Sequence, residues 1–131
     1  MKIARAVART LAVVILLGLG AAISQAASAK NITSTQARDL LTRDKKVVLV
    51  DVRTTEEYRQ AHLRGALLIP MSELERRMKE LPRDRPLLIY CSVGARSLSA
   101  ASFLAERGFQ PVYQMSDGLV GWYKNGFPIE R

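Results

Sequence analysis

The residue in this chain that most clearly offers reactive chemistry is Cys91, the only cysteine among 131 residues. It opens the segment Cys91-Ser92-Val93-Gly94-Ala95-Arg96-Ser97, which directly follows an apolar run. A strand is expected to end there and a helix to begin. The thiolate is the nucleophilic form of cysteine, and an ordinary thiol with a pKa near ~8.5 is only slightly ionised at neutral pH. The question is therefore whether this loop can hold Cys91 in its charged form.

Several features of the loop would favour the Cys91 thiolate. Amides of residues 92–97 that point inward would donate to the sulfur, and a helix beginning near Ser97 would contribute up to ~2 kcal/mol through its positive N-terminal end. Arg96 would add a permanent positive charge, and Gly94 permits backbone torsions closed to other residues. Lowering the pKa by two units requires about 2.7 kcal/mol, which these sources can supply together. We predict a reachable nucleophilic sulfur at the floor of a positively charged bowl.

The elements that must position this loop follow from hydrophobic patterning. Short continuous apolar runs predict strands at residues 47–50, 67–69, 87–90 and, more weakly, 112–113. Three capping boxes predict helix starts: Thr33-x-x-Gln36, Thr54-x-x-Glu57 and Ser72-x-x-Glu75. An apolar stripe predicts a fourth helix over residues 97–107, ended by Gly108. Alternating strands and helices favour a parallel sheet with helices on both faces, whose ligands bind beyond the carboxyl ends of the strands. The Cys91 loop lies at such an end.

The first 29 residues have the three parts of a secretory signal. A basic start without acidic residues precedes an apolar run over residues 11–23, and the small-residue triplet Ala27-Ser28-Ala29 follows. Cleavage after Ala29 would leave a single domain of residues 30–131 in the periplasm or outside the cell. Residues 10–29 carry no charge, so an uncleaved membrane anchor is the alternative, and it would give the chain a membrane contact.

Composition limits the partners and cofactors. The chain has 20 basic and 12 acidic residues, and three of the basic ones lie in the predicted leader. The remaining positive excess suits small anions but is a weak nucleic-acid signature, so we expect no nucleic-acid partner. One Cys and one His exclude an internal disulfide and a Cys/His zinc site. No residue pattern indicates a nucleotide, metal or flavin cofactor.

The pattern Cys-x-x-Gly-x-Arg-Ser after a hydrophobic strand resembles the active-site loop of the rhodanese (thiosulfate sulfurtransferase) domain family. Three further motifs occur in that family's order: Val50-Asp51-Val52-Arg53 with Glu56-Glu57-Tyr58, then His62-Leu63-Arg64-Gly65-Ala66 with Ile69-Pro70, then Gly118 with Trp122 and Gly126-Phe127-Pro128. The chain is identified as similar to single-domain, exported members of the phage-shock-protein-E type. The resemblance implies a rhodanese-like α/β fold with a central, mostly parallel sheet of about five strands and helices on both faces.

The same resemblance implies a double-displacement reaction. The Cys91 thiolate would take the outer sulfur from a small anionic donor such as thiosulfate, and an external cyanide or thiol would then remove it from the persulfide. The loop is implied to bind the donor and the persulfide through Ser92, Val93, Gly94, Ala95, Arg96 and Ser97. Because the chain has no second cysteine, the acceptor must come from outside.

Four motif residues outside the loop are expected to support the structure. Asp51 would accept hydrogen bonds at the end of a buried strand, and Arg53 would pair with it or with Glu57. His62 is the only histidine, but the resemblance places it in a turn before the second strand, where bracing is favoured over a role as a general base.

This sequence departs from the family's pattern at three positions. Ala61 and Asp117 stand where the family often has Gly, and Thr55 stands where Pro is frequent. Asp117 is expected to place a negative charge near the rim of the site, which bears on donor preference and turnover.

Three alternatives remain open for the function. A persulfide carrier or sulfur-binding module with low turnover would use the same loop. A cysteine phosphatase or arsenate reductase would have five residues between Cys and Arg, whereas four separate Cys91 from Arg96 here. A purely structural domain would leave Cys91 no more reactive than an ordinary thiol.

Overall fold

The computed structural model describes residues 28–131, so the predicted leader lies outside the described residues except for its last two positions. Within this range the strands are β1 (Lys30–Ile32), β2 (Val48–Asp51), β3 (Leu67–Leu68), β4 (Leu87–Tyr90) and β5 (Val112–Met115). The α-helices are α1 (Ser34–Arg43), α2 (Thr55–Gln60), α3 (Leu74–Arg77), α4 (Ala95–Glu106) and α5 (Gly118–Lys124). None of these helices is long and apolar enough to span a bilayer.

All strands of the sheet run parallel, in the order β1-β5-β4-β2-β3. One face of the sheet packs against α3 and α4, and the opposite face packs against α1 and α5. This confirms the predicted α/β fold with a parallel sheet of about five strands and helices on both faces. β4 lies at the centre with every residue buried, so its carboxyl end delivers Cys91 to the middle of one sheet edge.

The strands predicted from apolar runs are confirmed to within two residues, but the edge strand β1 was not predicted. β1 pairs with β5 through Asn31 opposite Gln114 and Ile32 opposite Met115. It is three residues long and includes Lys30 and Asn31, so no apolar run marks it. A neighbouring strand that is already in place supplies the pairing partner that this short polar segment needs.

Two of the three predicted capping boxes form. Thr33 with Gln36 caps α1, and Thr54 with Glu57 caps α2, with both reciprocal hydrogen bonds present in each case. The third prediction is wrong, because Ser72 lies inside a 3-10 turn (Met71–Glu73) and α3 begins only at Leu74 without a side-chain cap. The Glu73 N–H already donates to the Pro70 carbonyl, so the chain turns before Ser72 can occupy a capping position.

Asp117 caps α1 from a distant part of the chain. Its carboxylate accepts the Ser34 N–H at 2.7 Å and the Ser34 hydroxyl at 2.6 Å. A negative charge is favourable at the positive end of a helix. A Cβ built at Gly121 would collide with this carboxylate, which explains the glycine one turn later. The Asp117 carboxylate is therefore directed at α1, which corrects the expectation that it faces the rim of the Cys91 loop.

Candidate active site

The Cys91 loop is a tight connection between β4 and α4. Gly94 is the N-cap of α4, with φ of +98°, and the helix begins at Ala95, two residues earlier than predicted. The early start places the amide of Ser97 within the first helical turn, where backbone N–H groups have no helical partner. These N–H groups are free to donate to the sulfur of Cys91.

The Cys91 sulfur receives hydrogen bonds from this turn. The Gly94 N–H donates to Sγ at 3.1 Å and the Ser97 N–H donates at 3.3 Å, and Ser97 Oγ lies 3.3 Å from Sγ. Burial raises the pKa of the Cys91 thiol, but the hydrogen bonds from Ser97, Gly94 and Val93 outweigh burial and hold the pKa below its ordinary value. The inward-pointing amides expected from the sequence are present.

The sulfur lies beneath the loop rather than at an open floor, because Cys91 is 1% exposed. A buried anion loses the stabilisation of bulk water and depends on the hydrogen bonds that the protein provides. The same exclusion of water strengthens each of those hydrogen bonds.

The N-terminus of α5 fixes the orientation of the loop peptides. The Leu119 N–H donates to the Cys91 carbonyl at 2.9 Å, and the Val120 N–H donates to the Ser92 carbonyl at 3.1 Å. The Ser92 carbonyl and the Val93 N–H belong to one planar trans peptide, so they point in opposite directions. Turning the carbonyl toward α5 therefore turns the Val93 N–H toward the sulfur.

Two glycines allow this close packing of the loop against the start of α5. A Cβ at Gly94 would collide with the carbonyl oxygen of Ser116, and a Cβ at Gly118 would collide with the carbonyl oxygen of Ser92. Both glycines also have positive φ, +98° and +60°. Backbone lies against backbone at both points, so neither collision can be relieved by moving a side chain.

Arg96 stands in a bidentate ion pair with Glu57 at the entrance to α2. The two terminal nitrogens of Arg96, Nη1 and Nη2, each donate to the Glu57 carboxylate at 2.8 Å. Nη2 also donates to Ser92 Oγ at 3.2 Å. Hydrogen bonds from Arg96 hold the pKa of Glu57 well below its usual range. Arg96 was predicted to bind the donor and Glu57 to support the structure, and their pairing was not predicted because the two residues lie 39 positions apart. The positive charge expected from Arg96 is therefore balanced by Glu57.

Asp51 and Arg53 form a buried pair at the end of β2, beside the end of β4. Arg53 donates from Nε and Nη2 to the carboxylate of Asp51 at 2.8–3.2 Å and from Nη2 to the Ala61 carbonyl at 2.6 Å. Both side chains are almost fully buried. Of the two partners considered for Arg53, the structure pairs it with Asp51.

His62 lies apart from the loop. Its Nδ1 is 2.8 Å from the Tyr58 carbonyl, its ring stacks on that of Tyr58, and its backbone forms a bridge with Glu130. Among residues 28–131, no group of three or more His, Cys, Asp or Glu side chains is placed to hold a metal ion.

Gln114, which no sequence motif indicated, lies next to the loop residue Ser97. Its Oε1 accepts the Ser97 hydroxyl at 2.8 Å, and its Nε2 donates to Asn31 Oδ1 at 2.9 Å. A glutamine within an apolar strand pattern carries no local signal of a partner. Asn31 lies opposite Gln114 in the register between β1 and β5. This contact could be predicted only once β1 was known.

Comparison with known proteins gives consistent matches over this region. A family model described as "Rhodanese-like domain" matches residues 33–125. A protein named "Sulfurtransferase" from Allochromatium vinosum is 41% identical over 83 residues, covering 63% of this chain and 78% of that protein. Thiosulfate sulfurtransferase GlpE of Coxiella burnetii is 32% identical over 93 residues, covering 71% of this chain and 86% of that protein. A crystal structure of a rhodanese-related protein from Thermoplasma volcanium matches with a TM-score of 0.71 at 27% identity. The match covers 77% of this chain and 97% of that protein.

Proposed function

The chain belongs to the rhodanese-like family of sulfurtransferases, and from this premise we propose that it transfers sulfur from thiosulfate to cyanide or a thiol through a Cys91 persulfide. The observation that carries the proposal is the hydrogen bonding of the Cys91 sulfur. Backbone N–H groups of Gly94 and Ser97 donate to it from the first turn of α4. These donors stabilise a negative charge on the sulfur before any substrate arrives.

The proposed reaction has two displacement steps. In the first, the Cys91 thiolate forms a bond to the outer sulfur of thiosulfate, the sulfur–sulfur bond of thiosulfate breaks, and sulfite leaves with the electron pair. In the second, cyanide or a thiolate forms a bond to that outer sulfur, and the Cys91 thiolate leaves. Sulfur moves from donor to acceptor without an external oxidant or reductant, and no proton is required in either step with cyanide as the acceptor.

The loop amides serve both halves of this reaction. A persulfide at Cys91 carries its negative charge on the outer sulfur, one bond further from the chain than in the free thiolate. The start of α5 fixes the peptides that carry the Ser92 and Val93 N–H groups, so these two groups need no reorganisation between the two states. GlpE of Coxiella burnetii is named a thiosulfate sulfurtransferase, which supports thiosulfate as the donor to test first.

Substitutions at Glu57 and Arg96 are expected to have opposite effects on the binding of thiosulfate. Arg96→Gln removes the positive charge at the loop and leaves Glu57 unbalanced, so we expect the KM for thiosulfate to rise about tenfold. Glu57→Gln keeps the capping box of α2, which accepts either residue, but frees the charge of Arg96. We therefore expect Glu57→Gln to lower that KM several-fold. Steady-state kinetics at fixed cyanide measures both values.

Arg85→Gln is the matched control for the loss of one positive charge. Arg85 precedes β4 at the end of the strand remote from Cys91 and donates to the Lys46 carbonyl. The KM of Arg85→Gln for thiosulfate should stay within about twofold of the parent value at moderate ionic strength. A KM that rises in both Glu57→Gln and Arg96→Gln would show that the pair acts only by holding the loop in shape.

Repeated formation of thiocyanate from thiosulfate and cyanide tests the proposed function directly. We expect many turnovers per chain. A burst of one thiocyanate per chain that then stops would favour the carrier alternative over an enzyme. Cys91-dependent hydrolysis of an aryl phosphate would instead favour a phosphatase, although the four residues between Cys91 and Arg96 make a narrower loop than phosphatases use.

A further inference from the structure

A buried hydrogen-bond relay connects the Cys91 sulfur to the edge of the sheet. Ser97 Oγ lies 3.3 Å from the sulfur and 2.8 Å from Gln114 Oε1, and it is also 3.2 Å from the Gly94 carbonyl. Ser97 is 0% exposed and Gln114 is 3% exposed. At the far end of the relay, Gln114 Nε2 donates to Asn31 Oδ1 at 2.9 Å, which turns Oε1 toward Ser97.

The Ser97 hydroxyl has one hydrogen and more than one acceptor within reach. A serine hydroxyl donates a single hydrogen bond, whereas Gln114 Oε1 and the Gly94 carbonyl can only accept. When Cys91 is a thiol, its S–H can donate to Ser97 Oγ while the Ser97 hydroxyl donates to Gln114. When Cys91 is a thiolate, the sulfur can only accept as well. The Ser97 hydrogen must then serve either the sulfur or Gln114.

Either choice has a cost in this buried position. If the Ser97 hydroxyl turns to the sulfur, Gln114 Oε1 loses its donor where water does not reach it. If the hydroxyl stays with Gln114, the thiolate lacks the Ser97 hydroxyl as a donor and relies on the backbone amides of Val93, Gly94 and Ser97. In both cases the contact with Gln114 favours the uncharged sulfur over the thiolate.

We infer that Gln114 is a positioning residue that competes with the Cys91 sulfur for the hydrogen of the Ser97 hydroxyl, and that Asn31 fixes the amide of Gln114 in the orientation needed for this competition. This inference rests on the proposed function, because it assigns a control on the sulfur that carries the transferred atom. The inner sulfur of a persulfide is uncharged and has no need of the Ser97 hydrogen. The relay therefore disfavours the free thiolate without disfavouring the loaded state.

Replacing Gln114 with another neutral residue leaves the charged groups around Cys91 unchanged. These groups are Arg96 on α4, Glu57 on α2, Asp51 and Arg53 at the end of β2, and Asp117 before α5, whose carboxylate faces Ser34. Methionine resembles glutamine in length and offers no carbonyl acceptor. A change in the titration of Cys91 in Gln114→Met therefore reports the release of the Ser97 hydroxyl.

The test is the pH dependence of Cys91 alkylation by iodoacetamide in the full chain. We expect the midpoint of the rate profile to fall by about one pH unit in Gln114→Met, since the thiolate gains one charge-assisted hydrogen bond. Asn31→Ala should shift the midpoint in the same direction by less, because the Gln114 amide can then present its Nε2 to Ser97. Tyr113→Phe, a neighbour on β5 that packs on the opposite face, should leave the midpoint unchanged.

A midpoint that is unchanged or raised in Gln114→Met overturns the inference, and a raised midpoint would show that Gln114 supports the thiolate. Asn31 is exposed, so Asn31→Ala preserves the test if Gln114→Met does not fold, and an unchanged midpoint there has the same meaning. Alkylation requires no sulfur donor. Failure of the parent chain to take sulfur from thiosulfate would therefore count against the proposed function while leaving this result intact.

Discussion

Replacement of Cys91 by serine will leave the chain unable to gain a sulfur atom from thiosulfate, and thiocyanate formation will fall by a factor on the order of a thousand or more. The reason is that both steps of the proposed reaction pass through one sulfur, and the chain has no other cysteine to substitute for it. A serine hydroxyl at this position is not ionised at neutral pH and forms no persulfide. Its oxygen would still accept the Gly94 and Ser97 amides, so the fold should be retained.

Intact mass measured after incubation with thiosulfate checks this prediction. The parent chain should gain the mass of one sulfur atom and lose it when cyanide is added. Ser99→Ala, an exposed serine on the same helix, should behave as the parent does and controls for handling. A gain of sulfur in Cys91→Ser would place the sulfur elsewhere and contradict the proposal. A parent chain that gains no mass would contradict thiosulfate as its donor.

Much of the fold was predictable because it depends on local patterns. The interior strands are continuous apolar runs, and the boxes at Thr33 and Thr54 satisfy helix donors within four residues. Local patterns fail where a distant residue decides the structure. β1 exists because β5 offers it a partner, and Ser72 does not cap a helix because Pro70 has already turned the chain.

The same contrast holds at the candidate site, where residue types were predictable from local sequence but their hydrogen-bond partners were not. The position of Cys91 between a strand and a helix followed from its place after an apolar run. Its surroundings depend on pairs that are far apart in sequence, namely Arg96 with Glu57 and Ser97 with Gln114. No spacing rule predicts such pairs. The first pair balances the positive charge of Arg96, and the second gives the Ser97 hydroxyl an acceptor besides the Cys91 sulfur.

A test of how the loop is held compares glycines that share a positive φ but differ in their surroundings. Gly94→Ala adds a Cβ that meets the Ser116 carbonyl at φ +98°, whereas Gly65→Ala and Gly126→Ala, at φ +78° and +73°, meet nothing within 4 Å. All three substitutions cost about 1–2 kcal/mol of unfolding free energy for the left-handed backbone. Only Gly94→Ala must also separate the Cys91 loop from the segment before α5.

We therefore expect Gly94→Ala to lower the free energy of unfolding by about 3 kcal/mol or more, against about 1–2 kcal/mol for each control glycine, in urea denaturation. The larger effect concerns the sulfur. Moving the Gly94 amide away from Sγ removes a donor, so the midpoint of Cys91 alkylation should rise and thiocyanate formation should fall about a hundredfold. Both control variants should keep the parent's alkylation midpoint. If Gly94→Ala behaved like Gly65→Ala in these measurements, the contact between Gly94 and Ser116 would not be what holds the N–H groups on the sulfur.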